Sequence, residues 1–442
     1  MEELERQLDS FSLSQRQQAL RALWERVQSG QSVLPAARTD VNLHCHSFFS
    51  YNCCGYSPSK FAWLARKRGL AVAGIVDFDV LDGLEEFLEA AKLLRLKACV
   101  GMETRVFVPE FADKVINSPG EPGISYHMGV GFPTAKLHGQ TKDFLLGLKH
   151  TAQKRNKEMM QRVNQYLAPV ELDYEKDVLP LTPAGNPTER HLCIAYARKA
   201  RSIFDDVHEL EKFWAEKLSV NPGDPGLHEQ TKLLNLIRAR TMKQGGVGYV
   251  IPDKGDFPTM ADTNRFILQA GGIPTHTWLN GFSDGEQEIE KLLKVAMQSG
   301  VAALNIIPDR NYTAGVKDER LTKLYNVVKL AQKLNLIVVV GTEMNSPGQK
   351  FVDDFSSNEL SPLLPTFLKG AHIVYAHSVL QRGAGLGYTS DWAKEAFSDI
   401  AAKNEFFEML GHLLQPCREE LLRNIPQDRT PKQILETVGN ES

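Results

Sequence analysis

The stretch Val41-Asn-Leu-His44-Cys-His46 decides how the rest of the chain is read. It opens apolar, closes on two imidazoles two residues apart, and runs into polar, turn-prone sequence. In an extended strand successive side chains face opposite ways, so His44 and His46 share one face while Cys45 takes the other. Two imidazoles converging in this way can grip one metal ion. Working outward, six more short apolar runs have the same form: Ala71–Asp77, Ala98–Val106, Ile124–Phe132, Gly272–Leu279, Ala302–Ile307 and Leu336–Glu343. Segments of helical period separate most of them. Alternation of this kind predicts an α/β protein of βα units with mainly parallel strands, and seven strands favour a barrel over an open sheet.

The remaining sequence reads as additions to that barrel, whose strands fall in 39–141 and 250–360. Over 1–38, Ser14 with Gln17 makes a capping-box pattern, and Leu20, Leu23, Trp24 and Val27 follow at helical spacing until Gly30. Residues 142–249 are rich in Lys, Glu, Leu and Gln and broken by Pro183, Pro187, Pro222 and Pro225, which predicts a helical insertion. Its loops fall at Val220–Gly226 and Gly245–Gly255. A C-terminal helical region packed on the barrel is expected over 361–442. Its helices fall at Asp391–Ala402 and Glu405–Leu414, and Gly383, Gly385 and Gly387 lie in a loop before them.

Composition narrows the function classes. Lys and Arg number 51 against 54 Asp and Glu in 442 residues, a net charge of -3, so no basic excess points to nucleic acid or an acidic membrane. With 42% hydrophobic and 24% charged residues the chain has the make-up of a folded globular protein. Met1–Ser10 lacks the apolar stretch of a signal peptide, and runs such as Leu336–Gly341 fall far short of the roughly 18 residues that span a bilayer. The six cysteines form no CxxC pair, which fits free thiols and a cytoplasmic location.

Chemistry gathers at the C-terminal ends of the apolar runs, where βα barrels build active sites. Besides His44 and His46, the runs supply Asp77, Glu103, His127, His276 and Glu343. A lone strand histidine is usually a hydrogen-bonded core residue. A set drawn from this many strands is different, because buried charges of one sign are costly without a cation among them. Mixed nitrogen and oxygen ligation suits Zn, Mn or Fe better than Mg or Ca.

Taken in order, Asn-Leu-His44-Cys-His46-Ser, Ile-Val-Asp77-Phe-Asp79, Gly-Met-Glu103, Tyr-His127-Met-Gly, Gly-Gly-Ile-Pro-Thr-His276 and Val-Gly-Thr-Glu343-Met-Asn345-Ser resemble the PHP (polymerase and histidinol phosphatase) family of metal-dependent phosphoesterases. The resemblance spans Thr39 to Pro347, and Pro187–Ala200 is similar to the start of the insertion in the nucleotide-phosphatase branch. It implies a distorted seven-stranded βα barrel that cleaves phosphomonoesters with two or three metal ions. Departures matter as much: Asn42, Tyr51, Phe78 and Asn345 stand where the family carries acidic or histidine residues. Tyr51, Phe78 and Asn345 map to one metal position, so the resemblance implies a reduced centre of two divalent transition-metal ions. His44, His46, Glu103 and Glu343 would hold one ion, and Glu103, His127 and His276 the other, with Glu103 bridging.

The activity so implied is release of phosphate from a small phosphorylated metabolite or nucleotide by a metal-bound hydroxide, with Glu103 and Asp77 as catalytic residues. Asp77 would orient a ligand histidine or the water; alternatively it makes a simple strand-end hydrogen bond. Arg190, His191, Arg310 and Arg382 are candidate contacts for the phosphate oxygens. Trp278 either walls the pocket or packs in the core. Two other functions remain open at this level: a metal hydrolase acting on a non-phosphate bond, and a non-catalytic metal- or ligand-binding protein.

Overall fold

The computed structural model describes residues 1–251 and 255–439. Residues 252–254 of the expected Gly245–Gly255 loop and 440–442 of the C-terminal region lie outside the described residues. The strands are β1 Val41–Cys45, β2 Val72–Phe78, β3 Lys97–Phe107, β4 Ile124–Val130, β5 Ile273–Trp278, β6 Ala303–Ile306 and β7 Ile337–Val340. They hydrogen-bond in sequence order into one seven-stranded sheet. Most pairs are parallel, but β4 is antiparallel to both β3 and β5. Its direction follows from the link before it. A parallel neighbour needs a long crossover, usually a helix, whereas residues 108–123 hold only the 3-10 turn Pro109–Phe111 and fold back on themselves through Gly123 N–H to Lys114 O at 2.8 Å.

The sheet curls until the exit of β7 meets β1. Glu343 N–H donates to His44 O and His46 N–H donates to Glu343 O, each at 2.7 Å, a parallel bridge that carries the ladder around. Asn42 secures the same seam, its Nδ2 donating to Thr342 Oγ1 at 2.9 Å and Phe351 O at 2.7 Å. The two backbones are close because Gly341 has no side chain. A Cβ there would stand 2.4 Å from His44 N and 2.5 Å from Asn42 Oδ1. Val41, Val76, Ile306 and Val339 share one core with Phe367, Ile373 and Leu380 of helix Leu364–Ala384. Trp278 belongs to that core and is 1% exposed, so it packs rather than walling a pocket.

Three local expectations change. The helix Leu13–Gln28 starts after Ser12, so Ser14 and Gln17 lie inside it and do not cap it. Gly383 is helical, and the chain leaves helix Leu364–Ala384 only at Gly385, whose φ of 72° is open to glycine. Helix Asp391–Ala396 is shorter than expected, and the next spans Ile400–Leu413. The N-terminal helix is tied down by Arg16, whose guanidinium grips Glu86 through Nε–Oε1 at 2.8 Å and Nη2–Oε2 at 2.5 Å. Ser59 adds two more hydrogen bonds to the same carboxylate.

The chain divides into two compact units, one of residues 1–47, 52–144 and 258 onward, the other of 48–51 and 145–257. The second is helical, including Glu189–Ile203, Val207–Leu218 and Gln230–Ile237, around its own core of Val163, Leu192, Tyr196, Trp214 and Ile237. Among the described residues no helix is long and apolar enough to cross a membrane.

The seam gives a direct prediction. Gly341→Ala should push β1 and the β7 exit apart and lower unfolding stability by about 1–3 kcal/mol in urea titration, the usual cost of overpacking. A variant as stable as the parent would show that the closure has slack.

Candidate metal centre

The alternation of β1 puts His44 and His46 side by side, and the pairing of Phe78 with Glu103 across β2 and β3 brings the carboxylate level with them. Glu103 Oε2 lies 3.5 Å from His44 Nε2 and 3.3 Å from His46 Nε2, and the two Nε2 atoms are 3.4 Å apart. These three atoms form the one cluster of potential metal donors among the described residues. A triangle with such edges has its corners about 2 Å from its centre, the length of a zinc bond to nitrogen or oxygen. The donor set therefore fits a divalent ion. Burial pushes the Glu103 carboxyl up, but hydrogen bonds and charge from His44 and His46 outweigh it and hold the group down to about 2. Burial pushes His44 down, and hydrogen bonding and charge from Glu103, then the charge of Glu343, reverse this and raise it. The fold thus keeps a buried anion that draws positive charge to this point.

A second pair lies on neighbouring strands. His127 and His276 are register partners across β4 and β5, so both side chains leave the same face, with ring centroids 6.3 Å apart. Their burial is complete, which drives His127 down to about 4 and His276 to about 3, the latter helped by His127. Both are neutral imidazoles at pH 7, the form that binds metals. His127 Nε2 meets Asn264 Oδ1 at 2.6 Å, while His127 Nδ1 and both nitrogens of His276 have no hydrogen-bond partner. Glu103 is level with Met128, and His127 with Thr104, so His127 and His276 leave the face opposite Glu103, toward helix Met260–Gln269, and the expected bridging of the two histidine pairs by Glu103 is not found.

The other expected residues are placed as follows. Glu343 comes after β7 in a left-handed conformation, φ 61°, and its carboxylate pairs with Arg310 and accepts from Gln349 Nε2 at 3.0 Å. Arg310 is thereby at the strand ends, but it is turned onto Glu343. Asp77 accepts from Ser47 N–H at 2.8 Å and Ser47 Oγ at 2.6 Å, which pins the turn after His46. Arg382 is not brought to this group: it pairs with Glu419, and its neighbour Gln381 lies against Gly271, just before β5 begins. Arg190 and His191 belong to the second unit, where Arg190 donates to Asn235 and His191 accepts from Thr188 N–H in a helix cap. Phe78 stacks on His46 with centroids 4.3 Å apart, filling the space beside that ring with carbon. Tyr51 groups with the second unit, edge-on to His191.

Two residues were not singled out from the sequence. Asn305 on β6 accepts from His44 Nδ1 at 3.2 Å, and Asn264 on helix Met260–Gln269 meets His127. Each interrupts an apolar run with an amide, and that interruption is the signal that could have found them.

A βα barrel with buried histidines and a carboxylate converging at its strand ends is the build of a metal-dependent hydrolase. Residues 42–219 match the PHP domain. Among solved structures it is similar to an amidohydrolase from Chromobacterium violaceum, solved with sulfate and no metal, at 16% identity over 70% of this chain and 88% of that one, TM-score 0.48. It is also similar to a Bifidobacterium adolescentis protein assigned as a metal-dependent phosphoesterase, at 16% identity over 75% of this chain and 97% of that one, TM-score 0.48. No curated protein matches it in sequence.

The histidines make stability depend on pH. Unfolded histidines take up protons near pH 6.5, whereas folded His127 and His276 resist until about 4 and 3. Between those values the unfolded state binds more protons, so the metal-free fold weakens as pH falls through that window. His44, with a raised value, works the other way, and its contribution is lost as pH rises through its folded value. Buried His191, His372 and His377 act in the same sense as His127 and His276, while raised Asp9, Asp79 and Asp353 join His44 in opposing them, so the test is a comparison: in chelator-stripped protein, replacing His127 and His276 with Gln should shrink any loss of urea midpoint between pH 7 and pH 5. An unchanged pH dependence in that variant would contradict the burial of these rings.

Proposed function

We propose that this chain is a PHP-family phosphoesterase that releases phosphate from a small phosphorylated metabolite or nucleotide, using divalent metal, Mn, Zn or Fe, held at His44, His46 and Glu103. The observation that carries the reading is the convergence of His44, His46 and Glu103 on one point. His44, His46 and Glu103, with Glu343, would hold an ion, whereas the second set expected from the sequence, Glu103 with His127 and His276, is divided between the two faces of the sheet. Bound at the first set, divalent metal supplies positive charge to the phosphoryl oxygens and an acidified water.

The residues divide the remaining work. Glu103 would keep the negative charge that holds a cation beside His44 and His46. Glu343 would add its carboxylate to that ion, and Arg310, which now pairs with it, would offer its N–H donors to an anionic substrate. Asp77, through its two bonds from Ser47, holds the backbone just beyond His46 and so the direction of that ring. The stacking of Phe78 on His46 supports a centre without the family's third position.

Elemental mass spectrometry of the purified protein, beside a phosphate-release screen, tests this reading. Bound transition metal, at least one ion per chain, and phosphate release are expected, with both lost in Glu103→Gln. Absence of metal even after Mn and Zn are offered would turn the assignment to a non-catalytic binding protein. Phe78→His alone should recruit no further ion, because Tyr51 and Asn345 remain; an additional ion in that variant would count against the reduced centre.

A further inference from the structure

Two neighbouring thiols beyond the first strand have no place in the function proposed above. Cys53 and Cys54 lie in the turn between β1 and helix Pro58–Arg68, and their Sγ atoms are 3.7 Å apart, in contact. Cys54 is exposed and Cys53 half-buried, so one sulfur meets solvent and the other stands behind it. The backbone around them is pinned on both sides. Cys53 N–H donates to Met344 O at 2.7 Å, and Asn52 Oδ1 accepts from Cys54 N–H at 2.8 Å and Tyr56 N–H at 3.2 Å. Asn52 is itself fixed, its Nδ2 donating to His46 O at 2.7 Å. The thiols are therefore held together by the fold. A bond between them would close no loop worth the name and so would add little stability. Adjacent Cα atoms are also only about 3.8 Å apart, below the roughly 4.4 Å that an ordinary disulfide spans, which makes such a bond strained and easily reduced. Both points favour a reversible bond over a structural one.

We propose that Cys53 and Cys54 form a redox site, at which a low-molecular-weight disulfide such as oxidised glutathione converts the two thiols reversibly into a disulfide between adjacent residues. The hydrogen bond from Cys53 and, after the opposing effect of burial, that from Tyr56 pull the exposed Cys54 thiol down to about 6, which makes it the attacking sulfur. Its thiolate attacks one sulfur of glutathione disulfide and expels the other half as a thiolate. Cys53 then gives its proton to solvent, attacks Cys54 Sγ and expels the second half. One S–S bond breaks and one forms. The two cysteines lose two electrons and two protons in all, and the small disulfide becomes two thiols.

The test equilibrates the full-length protein with mixtures of reduced and oxidised glutathione, traps free thiols with an alkylating agent and maps the peptides by mass spectrometry. Exposed Cys417 reports that the reagent is active. The peptide carrying Cys53 and Cys54 should become lighter by two hydrogens, unalkylated and free of glutathione, and should return to two thiols in excess reduced glutathione. Cys53→Ser should stop at glutathione on Cys54, and Cys54→Ser should leave Cys53 largely unmodified. Both thiols remaining alkylatable while Cys417 carries glutathione would overturn the proposal, as would glutathione persisting on Cys54 in the wild type. A bond that survives excess reduced glutathione would refute its reversibility.

Discussion

Everything at the centre of this molecule depends on a backbone contact between the two ends of the barrel sheet. Glu343 is held between the carbonyl of His44 and the amide of His46, so the residue that closes the ladder also spaces the two histidines. Any change in that register would move all three side chains together. Asn42 shows how the seam is used: where a metal-binding carboxylate stood by family resemblance, an amide now ties β1 to residues 342 and 351. Here a position of chemistry has become one of architecture.

Desolvation is the second constraint. Burial under the covering helices holds His127 and His276 neutral, and the low dielectric around Glu103 strengthens its attraction for positive charge. The same dryness makes every polar atom there answerable to a partner. That is why the amides of Asn264 and Asn305 carry information: in water their orientation would be free, whereas in the packed interior each is dictated by what surrounds it. Arg310 on Glu343 follows the same rule, a buried carboxylate taking the nearest cation.

The strands were legible in the sequence almost to their ends, because a sheet buried on both faces writes itself as short apolar runs. The direction of β4 was not, since an apolar run reads the same whichever way it lies and only the short, helix-poor link before it bears on direction. The meeting of His44, His46 and Glu103 was legible because strand alternation fixes where side chains point. The partners of Glu343, Arg382 and His127 were not, for they come from residues far away in sequence whose distances no local pattern encodes. Ser12 and Gly383 mark a smaller limit: helix ends depend on where the chain stops packing, and good cap residues also occur inside helices.

The seam joins residues 300 positions apart in the chain, Asn42 and Thr342. His44, His46 and Glu103 all leave the ribosome early, yet the stretch that walls them off follows only when most of the barrel has been made. During synthesis these side chains are therefore wet and reachable, and they are enclosed only after the late arrival of Gly341 and Glu343.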